Sequence, residues 1–353
     1  MSAVHARAAR AAGAQIVGVA SRTRAGAELA QRSLGAERAY SSWDELLSDA
    51  SVEVVHICSP NQSHFDIAAA AIAAGKHVIC EKPLATSMTD AAELADLAAS
   101  TSLVTAVPFV YRFHPMVREA RARVRSGETG RIFSVRGAYL QDWLVAEGDD
   151  DWRVDPAHGG PSRAFADIGS HLSDVIQFVT GDPIARLSAA TRTVHTDRAI
   201  NKAITSEDVV SLVFATESGV IGTMHVSQVS MGHKNGLTIG IDGTHESLSF
   251  DGETPDILRI GTPEGFLNRA RADDISPEAA RYSVVPAGHP QGYQEAFNGF
   301  ISDVYSAVAG DVPDGLPDFD DGFRAAAVTD AVLRSQAEGT WVDVARRSIL
   351  TQI

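Results

Sequence analysis

The segment from Val52 to Leu84 constrains the fold more than any other part of the chain. Val52 to Cys58 is an apolar run, interrupted by Glu53 and His56, that ends in Ser59-Pro60-Asn61. Residues 63–74 read as a helix closed by Gly75, and His77 to Cys80 is a second apolar run that stops at Glu81-Lys82-Pro83. Two short strands joined by one helix make a βαβ unit, which commits the chain to a parallel sheet. In open sheets of this kind ligands bind beyond the carboxyl ends of the strands. The first strand delivers Ser59, Pro60, Asn61 and His64 to that edge, and the second delivers Glu81 and Lys82. A charged pair that ends an apolar run is better explained by a site than by packing.

The same alternation runs through the first hundred residues. Residues 2–12 read as a helix ended by Gly13, Gln15–Ala20 as a strand, and 24–33 as a helix stopped near Gly35. Trp43 to Leu47 is a short helix introduced by Ser41 or Ser42, 88–100 a helix and Leu103–Val107 a strand. After Val110 the pattern changes. A basic helix over 114–125 is followed by longer, alternating strands at 131–141, 184–194, 207–215, 219–229, 237–242 and 245–250, with a helix over 166–179 between the first two. Alternation of this kind predicts an open, mostly antiparallel sheet with one face covered. Residues 261–290 read as a mobile loop, and helices near 291–309 and 320–338 close the chain. The expected fold class is α/β plus α+β: a Rossmann-type, doubly wound parallel sheet over 1–112, then a domain on an open sheet over 113–353.

Composition narrows the function. With 353 residues, 44% hydrophobic and 21% charged, the chain has the makings of two soluble domains. A net charge of -15 argues against binding nucleic acid or an anionic membrane. A phosphate-bearing cofactor stays compatible, because backbone N–H groups at helix N-termini hold phosphate. No apolar run reaches the roughly 18–20 residues that span a membrane, and the opening Met-Ser-Ala-Val-His-Ala-Arg lacks a signal peptide's apolar core, so a cytoplasmic protein is expected. Cys58 and Cys80 read as small buried hydrophobes. Asp167 and His171 have no third ligand at a recognisable spacing, so no metal site is expected.

One element is missing from the pattern. A dinucleotide-binding fold opens with an apolar strand and a G-x-G-x-x-G turn before its first helix. Here the sequence opens at the helix, and Gly13 lies after it. In the strand order 3-2-1-4-5-6 the first strand is central, so its loss leaves a gap. We expect the natural start to lie upstream; the alternative is a shorter native chain with a rebuilt sheet.

Five groups of residues carry a resemblance. They are Ser59-Pro60-Asn61 with His64; Ala74-Gly75-Lys76-His77-Val78 running into Glu81-Lys82-Pro83; Asp167-Ile168-Gly169-Ser170-His171 with Asp174; Gly292-Tyr293 with Phe297; and Gly339-Thr340-Trp341-Val342. From residue 2 onward the chain resembles the Gfo/Idh/MocA family, the glucose-fructose oxidoreductase and inositol dehydrogenase group, with Ser2 where the third fingerprint glycine belongs. The resemblance implies an NAD(P)-dependent oxidoreductase acting on a sugar, anhydrosugar or cyclitol. It makes Lys82 the group that handles the proton and the developing alkoxide, His171 a general base or acid, and Asp167 the residue that orients the substrate hydroxyl. Four residues apart, Asp167 and His171 share a helix face above Ile168, Leu172, Val175, Ile176 and Val179.

For the dinucleotide, the resemblance implies Ser59, Pro60, Asn61, His64 and Lys82, with Glu81 near the nicotinamide and Ser21 and Arg22 at the ribose. After the first strand the sequence reads Ala20-Ser21-Arg22-Thr23-Arg24, with no acid for a ribose 2′-hydroxyl. Arg22 suits a 2′-phosphate, which favours NADP or dual use over NAD alone. Tyr111, Trp152, Arg153, Arg163 and His289, with Asp167 and His171, are the candidates for holding a polyhydroxylated substrate; Tyr293 stands beside them. His5, His56, His225 and His245 read as structural or surface residues. Two rivals are an NAD-dependent glycosidase with no net redox and a non-catalytic dinucleotide-sensing protein. The second domain is expected to bind substrate and, through its sheet, to pair subunits into a homodimer or homotetramer.

Overall fold

The computed structural model describes residues 1–272 and 274–347. The first part of the chain alternates helix and strand: α1 (Ser2–Ala11), β1 (Gly18–Ala20), α2 (Arg24–Leu34), β2 (Arg38–Tyr40), α3 (Trp43–Ser48), β3 (Val54–Ile57), α4 (His64–Ala73), β4 (His77–Cys80), α5 (Met88–Ala99) and β5 (Thr105–Ala106), of which β2 was not expected. Helix starts follow their caps: Thr23, Ser42 and Ser87 each accept a backbone N–H of the first turn of α2, α3 and α5. All strand pairs here are parallel. They form two sheets, β1–β2 and β3–β4–β5, with no ladder between them among the described residues. The place between them is that of the central strand in a 3-2-1-4-5-6 order.

Both faces of the three-stranded sheet are covered. Val55, Ile57, Val78 and Cys80 pack with Ala68, Ala71 and Ile72 of α4 and Leu94 and Ala95 of α5. Ile79 and Ala106 face the other way, onto Ala8 of α1 and onto Phe297, Phe300, Ile301 and Val304. Those four belong to a helix from the far end of the chain.

The second part comprises α6 (Pro115–Ser126), β6 (Ile132–Leu140), α7 (Pro156–Gly159), α8 (Ser170–Thr180), β7 (Ile184–Arg192), β8 (Val209–Thr216), β9 (Ile221–Ser227), β10 (Gly236–Gly243), β11 (Ser247–Asp251), β12 (Ile257–Thr262), β13 (Gly265–Ala270), α9 (Pro277–Ala280), α10 (Tyr293–Val308), α11 (Phe319–Glu338) and β14 (Val342–Asp343). The strands form one nine-stranded sheet in the order β13-β12-β11-β10-β6-β9-β8-β7-β14, antiparallel except for β6–β9. One face is covered by α8, whose Leu172, Val175, Ile176 and Val179 are fully buried; each such side chain contributes about 1.5–3 kcal/mol. The approach is close enough that a Cβ on Gly137 of β6 would lie 2.8 Å from Leu172.

Two expectations change. Residues 261–290 are not simply loop: β12 and β13 pair as a hairpin there and α9 follows. All but one residue of β13 are exposed, so that edge strand has no alternation to read. The helix expected over 166–179 opens as a π-helical turn, Phe165–Gly169, before α8 begins. No helix among the described residues is long and apolar enough to cross a membrane.

Candidate active site

The parallel register sets Ile57 beside Cys80, so the residues that follow each strand emerge side by side. Helix α8 and its π-turn approach that edge from the second part of the chain. Between them lies a cleft of about 570 Å³ lined by Met1, Cys58, Ser59, Pro60, Asn61, His64, Glu81, Lys82, Tyr111, Trp152, Arg153, Asp167 and His171, with Tyr139, Gln141, Lys234, Asn235 and Tyr293.

Lys82 is the centre of the polar arrangement. Its Nζ donates to Asp167 Oδ1 at 2.5 Å and to the Asp167 carbonyl at 2.7 Å. An ammonium has three N–H groups, so one is left for a ligand. Burial works against a charge on Asp167, but Lys82 and Arg153 outweigh it and hold the carboxyl at about 2. Arg153 Nε lies 3.7 Å from the same carboxylate. His171 is buried between Phe109 and Tyr111, both edge-on to its ring. Burial and the neighbouring Lys82 push it down to about 3, so its imidazole is neutral near neutral pH. Its Nδ1 is buried without a partner. The π-turn is the local device here: it widens the helix at Asp167, one turn before His171.

The strand-end loops are tied to each other and to the second domain. His64 is fully buried, with Nδ1 2.7 Å from the Pro83 carbonyl and Nε2 3.0 Å from that of Ser59. Burial lowers its pKa, so the neutral ring lies between the two loops and donates its single N–H to one of these carbonyls. Asn61 Nδ2 donates to the Gly159 carbonyl in α7 at 3.1 Å. Glu81 accepts from His5 Nε2 at 2.9 Å, and His5 Nδ1 meets His56 Nδ1 at 3.0 Å. Burial opposes a charge on His5, yet Cys58 and Glu81 push it up to about 10. Burial and the charge on His5 push His56 down to about 3. Protonated His5 therefore donates from both nitrogens, and His56 presents Nε2–H to the Tyr305 hydroxyl at 3.0 Å. Burial alone would raise Glu81; His5 and Lys82 bring it down to about 2. Expected to be structural or surface residues, His5 and His56 stand directly behind a cleft carboxylate, and no spacing in the sequence signals it.

Among the substrate candidates, Tyr111, Trp152 and Arg153 reach the cleft. Arg153 lies over the Trp152 ring at 4.4 Å. The hydroxyls of Tyr111 and Tyr139 are 2.6 Å apart, Tyr139 donates to Asn235 Oδ1 at 2.6 Å, and Asn235 Nδ2 donates back to Tyr111 at 2.8 Å. That ring of bonds is closed, so the Tyr111 hydroxyl has no hydrogen left for a ligand, and its ring is stacked on His114. Two candidates do not reach the cleft. Arg163 is buried, its Nη1 held by Gln228 and its Nη2 by Asp208. His289 is exposed, and its carbonyl accepts from buried Arg271. Ser21 and Arg22 are exposed at the carboxyl end of β1, outside the cleft lining. Asp174 pairs with Arg112 at 2.5 and 2.9 Å, a buried structural contact. Tyr139, Asn235 and Lys234 were not legible as cleft residues, since only the β6–β10 register brings them there. Among the described residues, no group of three His, Cys, Asp or Glu is placed to hold a metal ion.

Comparisons with known proteins agree with this arrangement. The oxidoreductase family model with an NAD-binding Rossmann fold matches residues 1–109, and the GFO/IDH/MocA C-terminal domain model matches 117–249. Levoglucosan dehydrogenase of Pseudarthrobacter phenanthrenivorans is 29% identical over 347 residues, covering 89% of this chain and 86% of that one. D-xylose 1-dehydrogenase (NADP(+)) 2 of Haloferax volcanii is 30% identical over 262 residues, 74% of this chain and 70% of that one. A solved structure of levoglucosan dehydrogenase in complex with NADH and levoglucosan superposes with a TM-score of 0.93 at 29% identity, covering 99% of this chain and 97% of that one. The chain belongs to the Gfo/Idh/MocA family of oxidoreductases, which carry an NAD-binding Rossmann fold.

Proposed function

We propose that this oxidoreductase interconverts a ring hydroxyl and a carbonyl of a sugar or anhydrosugar, with a bound nicotinamide supplying or accepting the hydride. The observation that carries the reading is the Lys82–Asp167 pair, set beside His171 in a cleft floored by strand ends. The residues present suit such a cofactor: the cleft lies beyond β3 and β4, and His171, whose buried Nδ1 has no partner, is one of its lining residues. Ser59, Pro60, Asn61, His64 and Glu81 are the proposed contacts of its nicotinamide half, and Ser21 and Arg22 those of its ribose. With no acid at residues 20–24, NADP or dual use is favoured.

In this reading the free N–H of Lys82 holds the reacting oxygen. Oxidation passes the hydroxyl proton to neutral His171 while the Lys82 ammonium donates to the developing alkoxide, and reduction returns the proton from His171. Asp167, fixed as an anion, orients the substrate through Lys82. Arg153 and Trp152 form one wall of the substrate site, with Tyr111 in the cleft lining behind them. Levoglucosan and D-xylose, named for two relatives, head the substrates to try. The experiment titrates NADH and NADPH by fluorescence, then follows nicotinamide absorbance with a panel of pyranoses and anhydrosugars. Expected is turnover with at least one sugar. Tight dinucleotide binding without turnover on any carbohydrate would count against the reading.

A further inference from the structure

A buried polar chain runs away from the active-site pair and leaves the cleft. Asp167 Oδ2 accepts from Gln228 Nε2 at 2.8 Å. Gln228 Oε1 accepts from Arg163 Nη1 at 3.0 Å, and Arg163 pairs with Asp208. Asp208 also pairs with Arg198 at 2.8 Å. Arg198 donates to the carbonyls of Leu144, Ala146 and Asp149, in the segment that leads into Trp152. Gln228 and Asp208 are fully buried, and Arg163 and Arg198 are 2% and 1% exposed. Next to Asp208, Glu207 accepts from the Ser162 hydroxyl and from the backbone N–H groups of Arg163 and Phe165. It thereby caps the helix that carries Asp167.

We infer that Gln228 is a positioning residue: it sets the rotamer of Asp167, and so the placement of Lys82, without touching substrate. The inference rests on the roles given to Lys82 and Asp167 above. Chemistry allows the Gln228 amide only one orientation. Its oxygen must face Arg163, which only donates, and its NH₂ must face Asp167, which as an anion only accepts. With Oδ2 held by that amide, Oδ1 is the oxygen left for Lys82. A cation at position 228 would compete with Lys82 for the carboxylate, whereas a neutral amide supplies the donor without the charge. The segment before Trp152–Arg153 is held by Arg198, which pairs with Asp208 without Gln228, so a change at Gln228 leaves that segment anchored.

The test uses Gln228→Leu and Gln228→Glu in the full chain. Gln228→Leu is expected to lower kcat by about 10²-fold, the cost of a small misplacement of a reacting group, with KM and NADH affinity within about twofold. In Gln228→Glu, one proton shared between the new carboxyl and Asp167 preserves the contact at low pH. Its activity then falls as pH rises and both groups ionise, a limb absent from the wild type. Acylation of Lys82 by acetic anhydride, read by mass spectrometry, should need a higher pH in Gln228→Glu than in the wild type. That readout needs no turnover, so it separates failure of this inference from failure of the hydride-transfer reading. It also decides the matter if Gln228→Leu does not fold. An unchanged kcat in Gln228→Leu, or wild-type pH profiles of activity and acylation in Gln228→Glu, would overturn the inference.

Discussion

Asp167 is the residue whose surroundings are most completely determined. It receives Lys82 on one oxygen and Gln228 on the other, with Arg153 near the first. Asp167→Asn keeps the shape but presents an NH₂ to at least one donor, so Lys82 loses its charged partner. The expected outcome in steady-state kinetics is a fall in kcat of about 10²–10⁴-fold, the range for a disturbed acid–base group, with NADH binding kept. At this scale the sequence was informative in a particular way. Lys82, Asp167 and His171 were picked out by the family resemblance, with a strand end and an i,i+4 pair as the only marks they leave in the chain itself. Gln228 and Asn235 were not, because each meets the site only through sheet register. Arg163 shows the converse. An arginine that lines a pocket and one buried in an ion pair look alike in sequence, and only the position of Asp208 tells them apart.

Among the elements, the short helix α7 and the turn that bears Trp152 and Arg153 position the substrate wall. They touch at Gly159, where a Cβ would lie 2.3 Å from the Arg153 carbonyl, while the Gly159 carbonyl receives Asn61. Gly159→Ala must therefore push the turn away from its place. We expect KM for the sugar to rise about tenfold or more, a loss of 1.4 kcal/mol or more, with the far-UV circular dichroism unchanged. A KM equal to that of the wild type would show that this contact does not set the wall. The strands and helices with clear periodicity were readable, and α10 and α11 lie close to their expected spans. What was lost was β13, exposed nearly throughout, and the π-turn, which no residue pattern marks.

On the scale of the whole molecule, the His5–Glu81 pair ties α1 and the end of β4 to α10 through His56 and Tyr305. His5 is raised to about 10 from 6.5, so its contribution to stability is complete below 6.5 and is lost as pH climbs toward 10. Glu81 is lowered to about 2 from 4.5, so its contribution is complete above 4.5 and is lost as pH falls toward 2. Between these limits the pair contributes a plateau. Calorimetry should show Tm falling less steeply above pH 6.5 in His5→Gln than in the wild type; parallel slopes would remove His5 from the account.

The fold class and the parallel-then-antiparallel order followed from period, and the gap that separates β1–β2 from β3–β4–β5 followed from the strand and glycine turn that a dinucleotide-binding fold has before its first helix. The meeting of the two domains at Lys82 did not, because the contact between residues 82 and 167 spans the chain's two halves. That contact is the one on which the proposed chemistry turns. The most direct test compares wild type and Lys82→Ala in one fluorescence cell, first titrated with reduced dinucleotide and then mixed with the oxidised dinucleotide and the best sugar of the panel. The account predicts equal dinucleotide affinity in both proteins, with reduced nicotinamide formed by the wild type and slowed at least about 10²-fold in Lys82→Ala. Equal rates in the two proteins would contradict it.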